Sequence, residues 1–290
     1  MTFDFIKQRL HEYVLLTRLD RPIGIYLVLW PMLWGLWIAA EGRPDPLVLA
    51  VFLLGTVLMR SAGCAINDFA DRKIDPHVSR TEKRPLARGA IRPLEAVGVF
   101  VALSLISLGL VLLMNRLTIL LAIPGVFLAA SYPFMKRITH LPQAYLGAAF
   151  GWAIPMAYAA QSGELPTNIW FFFVANIFWA LAYDTMYAIC DREDDLKIGV
   201  KSAAILMGRF DRLGIGLMQL LTLALLALGG LSFGMGLPYL LGLLAAGGFA
   251  LYQQYLIRDR DPKLSFKAFL NNHYFGMAVF LGIAIDYWVR

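Results

Sequence analysis

The 290-residue chain is 59% hydrophobic and only 16% charged, and its 26 Lys and Arg outweigh 20 Asp and Glu for a net charge of +6. Together with a mean hydropathy of +0.63, this excludes an ordinary soluble domain, and it predicts an all-α integral membrane protein. Nucleic acid is not an expected partner, because the cations fall between apolar runs and no nucleic-acid motif accompanies them.

Residues 1–21 place Phe3, Ile6, Leu10 and Tyr13 at three- and four-residue steps with Lys7, Arg9, His11 and Glu12 between them, the pattern of an amphipathic helix lying in the membrane interface. The layout of a cleavable signal is missing, and Asp4, Glu12 and Asp20 argue against an acid-poor organelle presequence. Apolar runs long enough to span a bilayer, which takes about 20 residues, then follow. The sequence predicts nine: Ile23 to Ala40, Leu47 to Ile66, Leu94 to Met114, Leu117 to Phe134, Pro142 to Ala160, Ile169 to Ile189, Leu213 to Phe233, Leu237 to Leu256 and Asn271 to Val289.

Of the 26 Lys and Arg, 22 fall before the first run or in alternate connections, leaving Arg43, Arg116 and Arg290 opposite and Arg60 inside the second run. By the positive-inside rule the N-terminus is cytoplasmic. The two cysteines, Cys64 and Cys190, fall on that reducing side, so no disulfide is expected. The four histidines lack the spacing of zinc ligands.

Both acidic clusters fall on the same side. In the first, Asn67, Asp71 and Asp75 are spaced i, i+4, i+8 on one helical face with Asp68 beside them. In the second, Asp191, Asp194 and Asp195 share a face that Tyr187 and Asp184 continue toward the bilayer, where a carboxylate needs a partner. A weak repeat relates the two: Ala65-Ile66-Asn67-Asp68-x-x-Asp71 resembles Ala188-Ile189-Cys190-Asp191-x-x-Asp194, 123 residues on. One such cluster would pass as a solvated helix end. Two at matching helix ends favour a hard divalent cation such as magnesium, which is commonly shared between carboxylates and substrate phosphates. That points to a diphosphate substrate at the membrane surface. The basic loop from Arg80 to Arg92, Lys201, and the Tyr132 to Arg137 turn supply cations to meet it. No nucleotide-binding glycine loop is present.

Four motifs then acquire a common meaning: Asn67-Asp68-x-x-Asp71-x-x-x-Asp75, Asp191-x-x-x-Asp195, Tyr132-x-x-x-Lys136, and the Thr81 to Gly89 loop with Arg84-Pro85-Leu86. With them the chain resembles the UbiA-type intramembrane prenyltransferase superfamily over nearly its whole length. Leu19-Asp20-Arg21-Pro22-Ile23-Gly24, Leu29-Trp30-Pro31 and Trp34-Gly35-Leu36-Trp37 are more similar to its hydroxybenzoate branch than to the haem or menaquinone branches.

The resemblance implies a single domain over residues 1–290, with helices around a central cavity open to lipid and cytoplasmic active-site loops at 67–93 and 190–212. It implies magnesium-dependent transfer of a polyprenyl chain from its diphosphate to 4-hydroxybenzoate, in a bacterial inner membrane. Asn67, Asp68, Asp71, Asp75, Asp191, Asp194 and Asp195 would hold the metal, with Asp71 and Asp191 catalytic and Asp191 helping to deprotonate the phenol. Arg72, Arg84, Arg88, Tyr132, Lys136 and Lys201 would contact diphosphate, and the acceptor carboxylate would fall to Arg21, Arg60 or Arg137, Arg21 first. The competing expectations are a different aromatic acceptor or a transporter. A transporter would place its acids at the bilayer midplane and not at helix ends.

Overall fold

A computed structural model of the chain describes residues 3–78, 80–199 and 201–290, the side chains of residues 3, 5, 136 and 198 excepted. Among the described residues there is no strand. The helices are α1 (Phe3–Thr17), α2 (Ile23–Ala39), α3 (Pro46–Asp71), α4 (Pro93–Val111), α5 (Arg116–Ser131), α6 (Pro142–Gly151), α7 (Ala153–Ser162), α8 (Ile169–Ile198), α9 (Ala203–Met207), α10 (Asp211–Ser232), α11 (Leu237–Leu256) and α12 (Pro262–Val289).

Their starts follow local chemistry. Asp45 accepts from the Leu47 and Val48 amides ahead of α3, Asn115 from the Thr118 amide ahead of α5, and Asp261 from the Leu264 amide ahead of α12. In α3 and α12 a proline follows at the first helical position, where its missing N–H costs nothing.

Six helical segments among the described residues are long and apolar enough to cross a membrane: α3, α4, α5 with the turn after it, α8, α9 running into α10, and α12. The chain is therefore a multi-pass membrane protein. The remaining predicted runs coincide with α2, which has 17 residues, with the α6–α7 pair, and with α11. Leu105, Ile123, Leu220, Leu244 and Leu251 are each at least 60% exposed, an apolar exterior that suits lipid and not water. Inside, Trp34, Trp179, Tyr183, Tyr239 and Phe275 are almost completely enclosed and join α2, α8, α11 and α12 into one core.

Two features shape the middle of the bundle. The run predicted as one span at 142–160 is two helices meeting at Trp152. Pro155 has no N–H to give the Gly151 carbonyl and its ring crowds that oxygen, so the ladder breaks there. On the same stretch Gly147 lets α6 press against α8: a Cβ on Gly147 would sit 2.8 Å from the Ile177 Cα. Asn176 of α8 donates to the Gly147 carbonyl at 2.9 Å, so close packing and a polar bond coincide.

The structure also corrects the ends of the acidic helices. Hydropathy sets the runs' limits at Ile66 and Ile189, yet α3 continues to Asp71 and α8 to Ile198. An apolar window measures the bilayer-length part only, while helix propagation needs no lipid. Much of each acidic motif is therefore helix and not loop. Asp75, expected on the α3 stripe, is off it: the helix stops at Asp71 and Asp75 opens a 3₁₀ turn, Asp75–His77. Pro76 has no N–H to give the Arg72 carbonyl and its ring would crowd that oxygen, so an α-helix carrying the stripe cannot run on through it.

Substituting Gly147 by Val is expected to cost about 1–3 kcal/mol through overpacking. Gly98→Val, at a position with open space around it, should leave stability nearly unchanged. Thermal unfolding of the two variants in detergent checks the difference.

Candidate active site

A cavity of about 860 Å³ runs between α2, α3, α4, α5, α6–α7 and α8. At the end of the bundle that carries the acidic motifs it adjoins a second cavity of about 160 Å³. Asn67, Arg80, Arg84, Tyr132, Asp184, Tyr187 and Asp191 border both. Away from that mouth the large cavity is walled by apolar side chains, among them Phe52, Leu108, Val111, Val126 and Met156. The smaller adds Asp71, Asp75, Asp195 and Lys201.

The last turn of α3 and the 3₁₀ turn after it bury three carboxylates: Asp68 is 0%, Asp71 2% and Asp75 4% exposed. Each needs a counter-charge or hydrogen bonds at that depth. Arg18 reaches over from the end of α1 to Asp68 at 2.6 Å. Arg84 stands between Asp68 at 3.3 Å and Asp75 at 2.9 Å. Asn67 donates to Asp71 at 3.1 Å. Arg80, in the connection between α3 and α4, forks Asp191 of α8, with its Nε 2.9 Å from one oxygen and a terminal nitrogen 2.5 Å from the other. Its guanidinium also lies 4.3 Å from the Tyr187 ring centroid. Lys197 pairs with Asp194 at 3.3 Å.

Burial pushes the Asp75 carboxyl above its ordinary range, and Asp71 and Asp68 push the same way against the pull of Arg84. Burial by itself would lower the Arg84 pKa, but Asp68 and Asp75 outweigh it and hold the guanidinium charged.

Oxygen atoms of Asp and Asn suit a hard divalent cation. Among the described residues no three acidic side chains are already gathered at coordinating range; arginines occupy that role. Asp68 Oδ2 is buried with no hydrogen-bond partner among the described residues, an acceptor that a cation would satisfy.

The sequence candidates separate cleanly. Asn67, Asp68, Asp71, Asp75, Asp191, Asp194, Asp195, Arg84, Tyr132, Lys201, Arg60 and Arg21 all border one cavity or the other. Arg72, Arg88 and Arg137 border neither. Arg72 donates to the Phe69 carbonyl at 2.7 Å and Arg88 pairs with Glu12 at 2.5 Å. Arg137 donates to the Ala70 carbonyl at 2.6 Å. The backbone of Lys136 is in the 3₁₀ segment Tyr132–Arg137, and its side chain lies outside the described residues. Arg60 extends beside Gly24 toward Cys64 Sγ at 2.5 Å, with its Nε buried and without a hydrogen-bond partner among the described residues. Arg21 is mostly exposed and pairs with its neighbour Asp20.

Sequence reasoning assigned no site role to Arg18 and singled out no role for Arg80 within its loop. Arg18 adopts φ +58°, unusual for a side-chain-bearing residue, and its guanidinium caps the α1 carbonyl of Leu15 at 2.8 Å. No sequence signal marks that geometry.

Residues 28–279 match the UbiA prenyltransferase family. The chain belongs to the UbiA prenyltransferase family. Family relatives named 4-hydroxybenzoate octaprenyltransferase include one from Methylococcus capsulatus, 59% identical over 282 residues and 97% of each chain. Another, from Nitrosococcus oceani, is 60% identical over 97% of this chain and 99% of its own. The fold agrees with that of a UbiA homologue from Aeropyrum pernix solved in its apo form, at a TM-score of 0.79 and 25% identity over 89% of this chain and 97% of that one. It also agrees with a UbiA homologue from Archaeoglobus fulgidus bound to GPP and Mg2+, at 0.69 and 19% over 93% and 99%.

Replacing Arg84 by Ala should leave Asp68 and Asp75 short of a counter-charge. The expected cost is at the lower end of about 3–5 kcal/mol, since Asp68 keeps Arg18. Added magnesium should restore part of the lost thermal stability in this variant, whereas wild type without a diphosphate should gain less.

Proposed function

We infer that the chain transfers a polyprenyl group from polyprenyl diphosphate to the ring carbon ortho to the hydroxyl of 4-hydroxybenzoate, giving 3-polyprenyl-4-hydroxybenzoate for ubiquinone biosynthesis. The observation that carries this is the junction of two acidic motifs at a polar mouth that opens into an apolar cavity, the shape and polarity of a prenyl diphosphate. The names of relatives near 60% identity specify the acceptor, and they make an eight-unit donor the first to test.

Asn67, Asp68, Asp71 and Asp75 on one side, and Asp191, Asp194 and Asp195 on the other, would hold magnesium. Bound there, it would supply positive charge to the diphosphate as it leaves. Arg84, Lys201 and Tyr132 line the same mouth and would orient the phosphates, with Lys136 retained from its motif. Arg80 and Arg18 join this set on position, while Arg72 and Arg88 leave it because their guanidiniums are engaged elsewhere. In the reaction the bond between the first prenyl carbon and the diphosphate oxygen breaks, and the diphosphate takes the electron pair. The ring carbon bonds to the prenyl carbon, the ring proton would pass to the departed diphosphate to restore aromaticity, and the phenolic proton would return from Asp191.

Asp191 would accept the phenolic proton once Arg80 turns to phosphate, and Asp71 would act from the first motif. Arg60 is the best of the three candidates for the acceptor carboxylate, because its unpartnered Nε and the unpartnered hydroxyl of buried Tyr183 both line the cavity. Apolar walls would keep water from the allylic cation.

In membrane terms we place all nine predicted runs across the bilayer as one domain, with the cavity open to lipid. The N-terminus and both acidic motifs then face the cytoplasm, and the membrane is a bacterial inner membrane. A cysteine introduced at Arg43 should react with an impermeant reagent in right-side-out vesicles, and one at Lys197 only in inverted vesicles. The reverse pattern would overturn the orientation.

Membranes containing the wild-type protein should prenylate labelled 4-hydroxybenzoate with octaprenyl diphosphate, and chelation of magnesium should stop the reaction. Asp71→Ala and Asp191→Ala should each lose at least about a hundred-fold in rate, since even partners behind a metal ligand cost 10–100-fold. Arg60→Ala should raise KM for 4-hydroxybenzoate about ten-fold or more, the worth of a charged hydrogen bond, and leave KM for the diphosphate unchanged. Properly inserted wild type without product would remove the assignment.

A further inference from the structure

The second acidic motif contains a cation that does not face the cavity. Arg192 follows Asp191 by one residue, about 100° around α8, and points toward α9 and α10. Its guanidinium meets the carboxylate of Asp211, the first residue of α10, and also donates to the Ala204 carbonyl in α9 at 3.1 Å. Asp211 is 0% exposed. It accepts from the Arg212 amide at 2.6 Å and from Arg260 at 3.0 and 3.1 Å. Arg260, ahead of α12, holds φ +55° and also bonds the Arg209 carbonyl at 2.8 Å. A residue kept in that conformation must be over-determined by its surroundings.

The elements tied by this one carboxylate are those that complete the far side of the polar mouth. Arg192 lies between Asp191 and the Asp194–Asp195 pair, so fixing its head fixes the rotation of the α8 turn that presents all three. The Ala204 contact ties in α9, and α9 directly follows the corner of Gly199, Lys201 and Ser202. Gly199 ends α8 at φ +71°. Lys201 and Ser202 border the smaller cavity. Ser202 caps α9 through the Ile205 amide at 3.3 Å, and the Ala203 amide donates to Gln143 at 3.2 Å.

We propose that Asp211, acting through Arg192 and Arg260, is the positioning residue of the second acidic motif and of the Lys201 corner, and so sets how tightly the site binds magnesium diphosphate. It touches neither substrate. Its effect is to hold two binding elements, one at each side of the Gly199 turn, in a single register. The inference rests on the diphosphate reading of the site given above.

The test uses the full-length protein in detergent as wild type, Asp211→Asn, Asp211→Glu and Arg260→Gln. Thermal stabilisation is titrated with magnesium and geranyl diphosphate in the absence of acceptor, and KM values are measured separately for both substrates. Asp211→Asn should raise the half-saturating concentration about ten-fold, within the range seen for partners behind metal ligands. Arg260→Gln should raise it less. Asp211→Glu should recover part of the affinity, and KM for 4-hydroxybenzoate should stay near wild type in all. If the folded variants melt earlier but saturate at the wild-type concentration, the positioning role is overturned. If Asp211→Asn fails to fold, Arg260→Gln, whose side chain is over a third exposed, decides the same question. Absence of stabilisation in the wild type would overturn the diphosphate reading itself, and this inference with it.

Discussion

Carboxylates buried at one end of an apolar bundle have to be neutralised, and the architecture of that end follows from this need. An unpartnered carboxylate at the depth of Asp68 or Asp75 costs several kcal/mol. The chain answers by drawing guanidiniums in from elements that would otherwise be peripheral. Arg18 brings the end of α1 over the mouth, and Arg84 pulls the connection between α3 and α4 into it. Arg80 ties that same connection to α8 through Asp191. Further out, Glu12 with Arg88 and Glu95 with Arg9 fasten α1 to the loop and to α4. The loop is thereby part of the cavity wall and not a loose linker.

Those guanidiniums have a second use. A fork that satisfies a carboxylate also matches a phosphate, so a metal diphosphate can exchange partners with the site. In the function proposed above, metal would take the carboxylates and phosphate the arginines, an exchange that would conserve charge pairing where water is scarce. The apolar part of the cavity is prepared by different means. The Pro155 break turns Trp152 into the cavity wall, where its indole nitrogen donates to the Leu121 carbonyl at 2.7 Å.

The end of α8 divides its work between two faces. Asp191 and its neighbours line the cavities, while Arg192 turns to a buried acid outside them. Both faces hold ion pairs, but they differ in what they can exchange. The pairs at the mouth would meet a competing ligand in the proposed reaction. Asp211 is itself buried and borders neither cavity, so its pairs have no such competitor.

The membrane class, the helical content and both acidic motifs were legible in the sequence, because they depend on composition and on spacing within a single helix. Apolar runs located every long helix, and the 3.6-residue period put Asp191, Asp194 and Asp195 on a common face. Asp75 keeps the helical spacing in the sequence but leaves the stripe in the fold, because Pro76 cannot continue the α-helical ladder. The choice among arginines was not legible. Arg72, Arg84 and Arg88 share one connection, yet Arg84 reaches Asp68 and Asp75 while Arg88 turns to Glu12 of α1 and Arg72 to the Phe69 carbonyl, and Arg18 arrives from fifty residues before Asp68 in the chain. A long, flexible cation can turn either way from its helix or loop. Where it ends is set by which buried carboxylate lacks a partner, and that is decided only once distant segments pack together.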